Sequence, residues 1–139
     1  MKGGWMTLRI TLRDGEKMIV NGAVLRANGR VELIVENQVA LLRGREIMAP
    51  DEATTPARRL YLACMMAYID DTARDAHQDR IVVLLGELLS AFETAAARML
   101  CLEFAHCVAT AEYYRALGIC RRLIDYETAA FDRLAGRAA

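Results

Sequence analysis

The chain has 139 residues, 55% of them hydrophobic and 26% charged, with 2 prolines and a formal net charge of zero. This composition supports one packed domain, or two small parts, and excludes wholesale disorder. The longest apolar run, Leu60 to Ile69, falls short of the ~18 residues a membrane span requires and ends on Asp70-Asp71. Lys2 is followed by no apolar segment, so no secretory signal is read and the expected location is the cytoplasm. The charges are unevenly placed. Residues 1–59 hold 10 Lys/Arg and 7 Asp/Glu, whereas residues 60–139 hold 8 and 11, a split of +3 and −3. The first half therefore permits a nucleic-acid surface and the second argues against one.

In chain order, Leu8, Ile10 and Leu12 alternate with Arg9, Thr11 and Arg13, the period of a half-buried strand. Asp14-Gly15 signals a turn before the short strand Met18-Ile19-Val20. Asn21-Gly22 and Asn28-Gly29 both read as hairpin turns, because Asn and Gly tolerate positive φ. Ala23 to Arg26, Arg30 to Glu36 and Val39 to Arg43 complete five predicted strands.

The period becomes helical after Ile47-Met48-Ala49-Pro50-Asp51. Thr55 followed by Pro56 is an N-cap with proline at the first helical position, and the helix is predicted to Asp70. Asp70 to Gln78 is polar and reads as a connector or a frayed helix start. Further helices are predicted over Arg80 to Glu93, Ala95 to Val108, and Ala111 to Leu134 with Thr110 as cap. The expected fold is α+β: a five-stranded N-terminal antiparallel sheet followed by about four helices. The division is a β-rich part, residues 1–48, and a helical part, residues 49–139.

Signals for catalysis are weak. No P-loop, GxGxxG, HExxH or nucleophile elbow occurs, and no residue pair forms an acid–base or nucleophile arrangement. The expectation is no enzyme, no cofactor and no metal. Cys64, Cys101, Cys107 and Cys120 form no CxxC pair and read as buried reduced thiols. On a helix Cys101 and His106 lie about 140° apart, so His106 reads as a core or half-buried residue. His77, beside Asp70 and Asp71, reads as part of a solvated connector. Glu127 is placed on a polar face with the other helical acids.

The basic residues of the first half carry more information. Arg9 and Arg13 share one face of the first strand, Lys17 follows the turn, and Arg43 and Arg45 end the last strand. With the first and last strands adjacent, they would make one basic stripe suited to phosphates and unpaired bases. Arg58 and Arg59 are outer candidates. A solvated basic face accounts for the same residues, and no aromatic stacking partners stand in the sheet. The helix Leu60 to Ile69 is apolar almost all round and must be covered on most sides. Core packing and a dimer seam or partner groove share that reading, with Leu60, Leu62, Met65, Met66 and Ile69 as interface candidates.

The stretch Leu12-Arg13-Asp14-Gly15-Glu16-Lys17-Met18-Ile19-Val20-Asn21-Gly22-Ala23 resembles the signature of the FlbT family, bacterial repressors of flagellin synthesis. A second match follows at Arg45-Glu46-Ile47-Met48 and from Glu52-Ala53-Thr54-Thr55-Pro56-Ala57 through Arg58-Arg59-Leu60-Tyr61. The resemblance begins at Met6 and covers most of the first half. It implies a post-transcriptional repressor that acts on the 5′ untranslated region of flagellin messenger RNA and lowers its translation and stability. It also implies work alongside a second small regulator, FlaF, and a homodimer or higher oligomer is expected. The alternative is a protein-interaction adaptor whose helical half holds FlaF or flagellin without touching RNA. A second similarity, to the carbon-storage regulator family of five-stranded RNA-binding dimers, rests on Gly15-Glu16 and on Arg43 before Glu46-Ile47. Leu12 stands where that family has a basic residue, and the Arg43 to Ile47 spacing is one residue longer.

Overall fold

The computed structural model describes residues 7–138, so Met6, where the resemblance begins, lies outside the described residues. The fold is α+β, with five antiparallel strands followed by four α-helices. The chain divides into two compact units, Met1–Ile47 and Met48–Ala139.

The first unit contains β1 (Leu8–Leu12), β2 (Lys17–Val20), β3 (Ala23–Arg26), β4 (Val31–Val35) and β5 (Leu41–Arg43). Its strands form two sheets, β1-β4 and β3-β2-β5. Strand β1 pairs with β4 from Leu8↔Val35 to Leu12↔Val31, and β2 pairs with β3 from Lys17↔Arg26 to Val20↔Ala23. The intervening segments also face each other. The Gly15 N–H donates to the Ala27 carbonyl at 2.8 Å, the Ala27 N–H to the Glu16 carbonyl at 2.8 Å, and the Gly29 N–H to Asp14 Oδ1 at 2.7 Å. Leu8 to Val35 is thus one long hairpin with unbroken register, folded over at mid-length. Its only tight hairpin turn is Asn21-Gly22, where φ is +50° and +88°, as a primed two-residue turn requires. Asn28-Gly29 is not a second hairpin turn. Gly15 (φ +82°) and Gly29 (φ +80°) are the opposed corners of the bend, and a side chain would be strained at either.

Folding the ribbon over packs its halves around Ile10, Leu12, Met18 and Ala27, with Val20, Val31, Leu33, Val35 and Leu41 against them. Each fully buried large side chain here contributes about 1.5–3 kcal/mol. Strand β5 joins antiparallel to β2, and Asn21 extends that pairing. The Asn21 N–H donates to the Ala40 carbonyl at 2.8 Å, and its Oδ1 accepts from the Ala40 N–H at 2.9 Å.

The second unit holds α1 (Pro56–Ile69), α2 (Arg74–Ala91), α3 (Ala95–Ala109) and α4 (Tyr113–Ala138). Helix α1 packs against α2 and α4, and α3 against α4 and α2. Thr55 and Thr94 cap α1 and α3 through their hydroxyls, which accept from the Arg58 and Ala97 N–H groups, each cap being worth about 1 kcal/mol. Seven of the fourteen residues of α1 are buried, Leu60, Tyr61, Cys64 and Met65 among them, as its nearly all-round apolarity demands. Helix α2 starts at Arg74 rather than Arg80. Its polar first turns are anchored by Arg74, whose Nε donates to the Ala67 carbonyl at the end of α1 at 2.8 Å, and by Tyr113, whose hydroxyl donates to Gln78 Oε1 at 3.1 Å. Thr110 ends α3 rather than starting α4: its hydroxyl donates back to the His106 carbonyl at 3.0 Å. Ala111 follows at φ +59°, outside the helical region, so α4 begins two residues later. The Ala111 N–H donates to Val108 and the Glu112 N–H to Cys107, the paired bonds of a Schellman ending.

Candidate nucleic-acid interface

The β unit places its basic side chains on both sheets. Arg9 lies on β1, exposed, 3.8 Å from the Glu32 carboxylate on β4. Arg13 follows β1 and Lys17 opens β2, both exposed. Arg43 ends β5 opposite Met18, and Arg45 lies in the short 3-10 turn Gly44–Glu46. The expected stripe along neighbouring first and last strands does not form, because β1 pairs with β4 and β5 with β2. The turn at 14–15 is a corner rather than a hairpin end, so β1 and β5 belong to different sheets. Arg58 and Arg59 stand in the first turn of α1, half-buried, in the helical unit.

Two basic residues escape the sequence reading. Arg26 is directly opposite Lys17, and Arg30 is exposed beside the corner at Gly29. The signal for Arg26 was present: a two-residue turn at Asn21-Gly22 fixes Lys17 and Arg26 as partners once the strands are extended from it.

Three of the five acids among the described residues of this unit bind backbone N–H groups. Asp14 accepts from the Gly29 N–H, Glu16 Oε1 from the Arg13 N–H at 2.7 Å, and Glu46 Oε1 from the Arg43 N–H at 3.0 Å. Among the described residues the only Lys/Arg–carboxylate ion pair in the unit is Arg9–Glu32. Its partners are 77% and 63% exposed, so its strength is small. Arg13, Lys17, Arg26, Arg30, Arg43 and Arg45 form no ion pair among the described residues.

In the helical unit, Leu60 and Met65 are buried in the chain's own core, which removes them from any surface open to a partner. Leu62, Met66 and Ile69 are half-buried. Large apolar side chains stand exposed elsewhere, at Val82 and Val83 on α2 and at Met99 and Leu102 on α3. Met99 and Leu102 line a shallow groove of about 320 Å³ with Glu103, His106, Cys107, Arg115 and Ile119 of α3 and α4. His106 is exposed there rather than in the core. His77 sits 3.2 Å from Asp70. The Thr72 hydroxyl, donating at 2.7 Å, and His77 together hold the Asp70 carboxyl below its usual pKa. Glu127 is buried, not on a polar face. The four cysteines are free and buried; burial pushes the Cys64 thiol up to about 12. Among the described residues no group of three or more His, Cys, Asp or Glu is arranged to hold a metal ion. Nor is any helix among them long and apolar enough to cross a membrane.

A family model described as flagellar protein FlbT matches residues 8–131, spanning both units. The chain belongs to the FlbT family. It is 36% identical over 124 residues to the flagellum biosynthesis repressor protein FlbT of Caulobacter vibrioides, covering 88% of this chain and 87% of that one. It is 37% identical to a probable flagellum biosynthesis repressor protein FlbT of Caulobacter sp. strain K31, covering 88% and 94%. A probable FlbT of Agrobacterium fabrum is 39% identical over 87 residues, 63% of this chain and 58% of that one. No solved structure matches the chain.

With the family placed, its signature residues can be assigned physical tasks in this chain. Asp14, Glu16, Asn21 and Glu46 each bind a backbone N–H. Glu52 Oε1 accepts from Ala49 at 2.8 Å, and Thr55 caps α1. Gly15 and Gly22 supply positive φ. Most of the signature builds the scaffold; of its basic members, Arg13, Lys17 and Arg45 are exposed in the β unit and Arg58 and Arg59 stand half-buried in α1.

Proposed function

We propose that this FlbT-family chain is a post-transcriptional repressor of flagellin synthesis, acting in the cytoplasm by binding the 5′ untranslated region of flagellin messenger RNA through its β unit. The supporting observation is that unit's set of exposed cationic side chains, of which, among the described residues, only Arg9 is in an ion pair. Such a surface neutralises phosphates and releases counterions, and arginine also stacks on unpaired bases. A protein held near the ribosome-binding site blocks initiation, and an untranslated message is open to nucleases. The repressor names of the Caulobacter relatives agree with this reading.

The test is a titration of the purified chain with a flagellin 5′ leader and a scrambled leader of equal length at two salt concentrations. Tighter binding of the true leader that weakens steeply with salt is expected. Equal or absent binding by folded protein would move the function to the helical unit.

A second reading draws on the exposed Val82, Val83, Met99 and Leu102: an adaptor whose helices hold FlaF, flagellin or a second copy of the chain. A mainly apolar contact of that kind would be nearly insensitive to salt.

A further inference from the structure

The geometry points to a particular centre for the RNA-contacting surface: a basic rung formed by Lys17 and Arg26, extended across the ribbon's bend by Arg13 and Arg30. This inference rests on the RNA-binding reading above and deepens it by naming what these four side chains contact, the sugar-phosphate backbone of a single strand, with any preference for the true leader coming from other residues.

Lys17 and Arg26 are direct cross-strand partners in the β2–β3 pairing, and both are exposed. Like charges directly opposite in an antiparallel pair are destabilising. Among the described residues neither cation is in an ion pair, and the nearby Glu16 and Asp14 carboxylates are directed at the Arg13 and Gly29 N–H groups. Arg9, by contrast, has Glu32 across the strand. A cation on an edge strand commonly serves to discourage pairing with other chains, which would account for Arg26 on β3. Lys17 opens β2, the central strand of its sheet, and is itself paired only with Arg26, the β5 pairing beginning at Met18. Carrying the β1–β4 register one residue past Leu12↔Val31 sets Arg13 across from Arg30, a second like-charged couple on the same ribbon.

Four cations in two facing couples suit a polyanion. The described part of the β unit contains no Phe, Tyr or Trp, so base stacking there can come only from guanidinium planes, and the exposed Asn28, between Arg26 and Arg30, is the one carboxamide beside these cations. Contacts of this kind contribute affinity and salt dependence without discriminating sequences.

The test uses the full chain, a labelled flagellin 5′ leader and a scrambled leader of equal length, titrated over a series of salt concentrations. Lys17→Gln/Arg26→Gln should weaken both RNAs at least tenfold and by similar factors. The slope of log K against log salt should become shallower by about one to two, while the thermal midpoint stays level or rises as the repulsion is removed. The charge-preserving pair Lys17→Arg/Arg26→Lys should bind as the parent does. Arg122→Gln/Arg133→Gln, which removes two exposed charges from α4, should have little effect. Binding of the double Gln variant within twofold of a parent that binds well would overturn the rung and leave RNA binding standing. So would an equal loss in the α4 control, and selective loss for the true leader alone would overturn backbone recognition. Failure of the parent to bind either RNA at low salt would remove the RNA reading, and the rung with it.

Discussion

Glu127, in the middle of α4, accepts a hydrogen bond from the Ala57 N–H at the start of α1, 2.8 Å away and buried. Pro56 has no N–H to offer and Thr55 serves Arg58, so Ala57 is the remaining orphan donor of that turn. The carboxylate also faces the positive end of the helix. Glu127→Leu should cost about 1–3 kcal/mol in denaturant unfolding, because a buried donor is left bare. Glu127→Gln keeps an acceptor and should cost less, about 0.3–1 kcal/mol. Equal losses would show that charge, not satisfaction of the N–H, is what matters.

Asn21 combines two requirements, positive φ and a carboxamide that holds Ala40. Asn21→Gly keeps the first and loses the second, for an expected cost of about 1 kcal/mol. Asn21→Val loses both and should cost about 2 kcal/mol or more. The ordering is read from chemical unfolding, and hydrogen exchange at Ala40 should rise in both variants.

Ala111 sits in a left-handed conformation at the end of α3, where glycine is free of the Cβ penalty. Ala111→Gly should therefore raise stability by about 0.5–1 kcal/mol, seen as a higher unfolding midpoint. A fall would mean that its side chain is needed in this junction.

Cys64 and Cys120 have thiols pushed up by burial, so they stay protonated at pH 8 and shielded from reagents. The native chain should react with a disulfide reagent far more slowly than the same chain in guanidinium, where all four thiols become available. Rapid labelling of Cys64 in the native state would contradict the packing of α1 against its neighbours.

Asp70 is held below its usual pKa by Thr72 and then His77. Its folded form binds fewer protons than the unfolded chain. Its contribution is therefore present above the ordinary carboxylate range and is lost as pH falls through the lowered folded value. Thermal unfolding followed from pH 7 to pH 3 should show a smaller acid-side loss in Asp70→Asn than in the parent.

Much of the fold was legible because its signals are local. Alternation marked β1, Asn21-Gly22 marked a primed turn, and Thr55-Pro56 marked the start of α1. What escaped depended on partners distant in the chain. Asn28-Gly29 reads like any hairpin turn until Asp14-Gly15 is found opposite it. The polar run before Arg80 reads equally as a connector or a frayed helix start until Arg74 meets the end of α1. Glu127 reads as a surface acid because nothing nearby announces the helix end it serves. For the interface, residue type was legible and arrangement was not. Arg26 became a candidate only through its register with Lys17, and the pairing of β1 with β4 separated Arg9 and Arg13 from Arg43.

The unbroken register from Leu8↔Val35 to Val20↔Ala23 also restricts how this segment can change length. One residue added to either arm alone would reverse the inside and outside of every position between it and the strand's end, exposing Ile10 and Leu12 and burying Arg9. Viable length variants must add or remove matched residues on both arms, or lose two from one. Natural insertions should therefore collect after Val35, in the stretch Glu36 to Val39, where no partner strand keeps count.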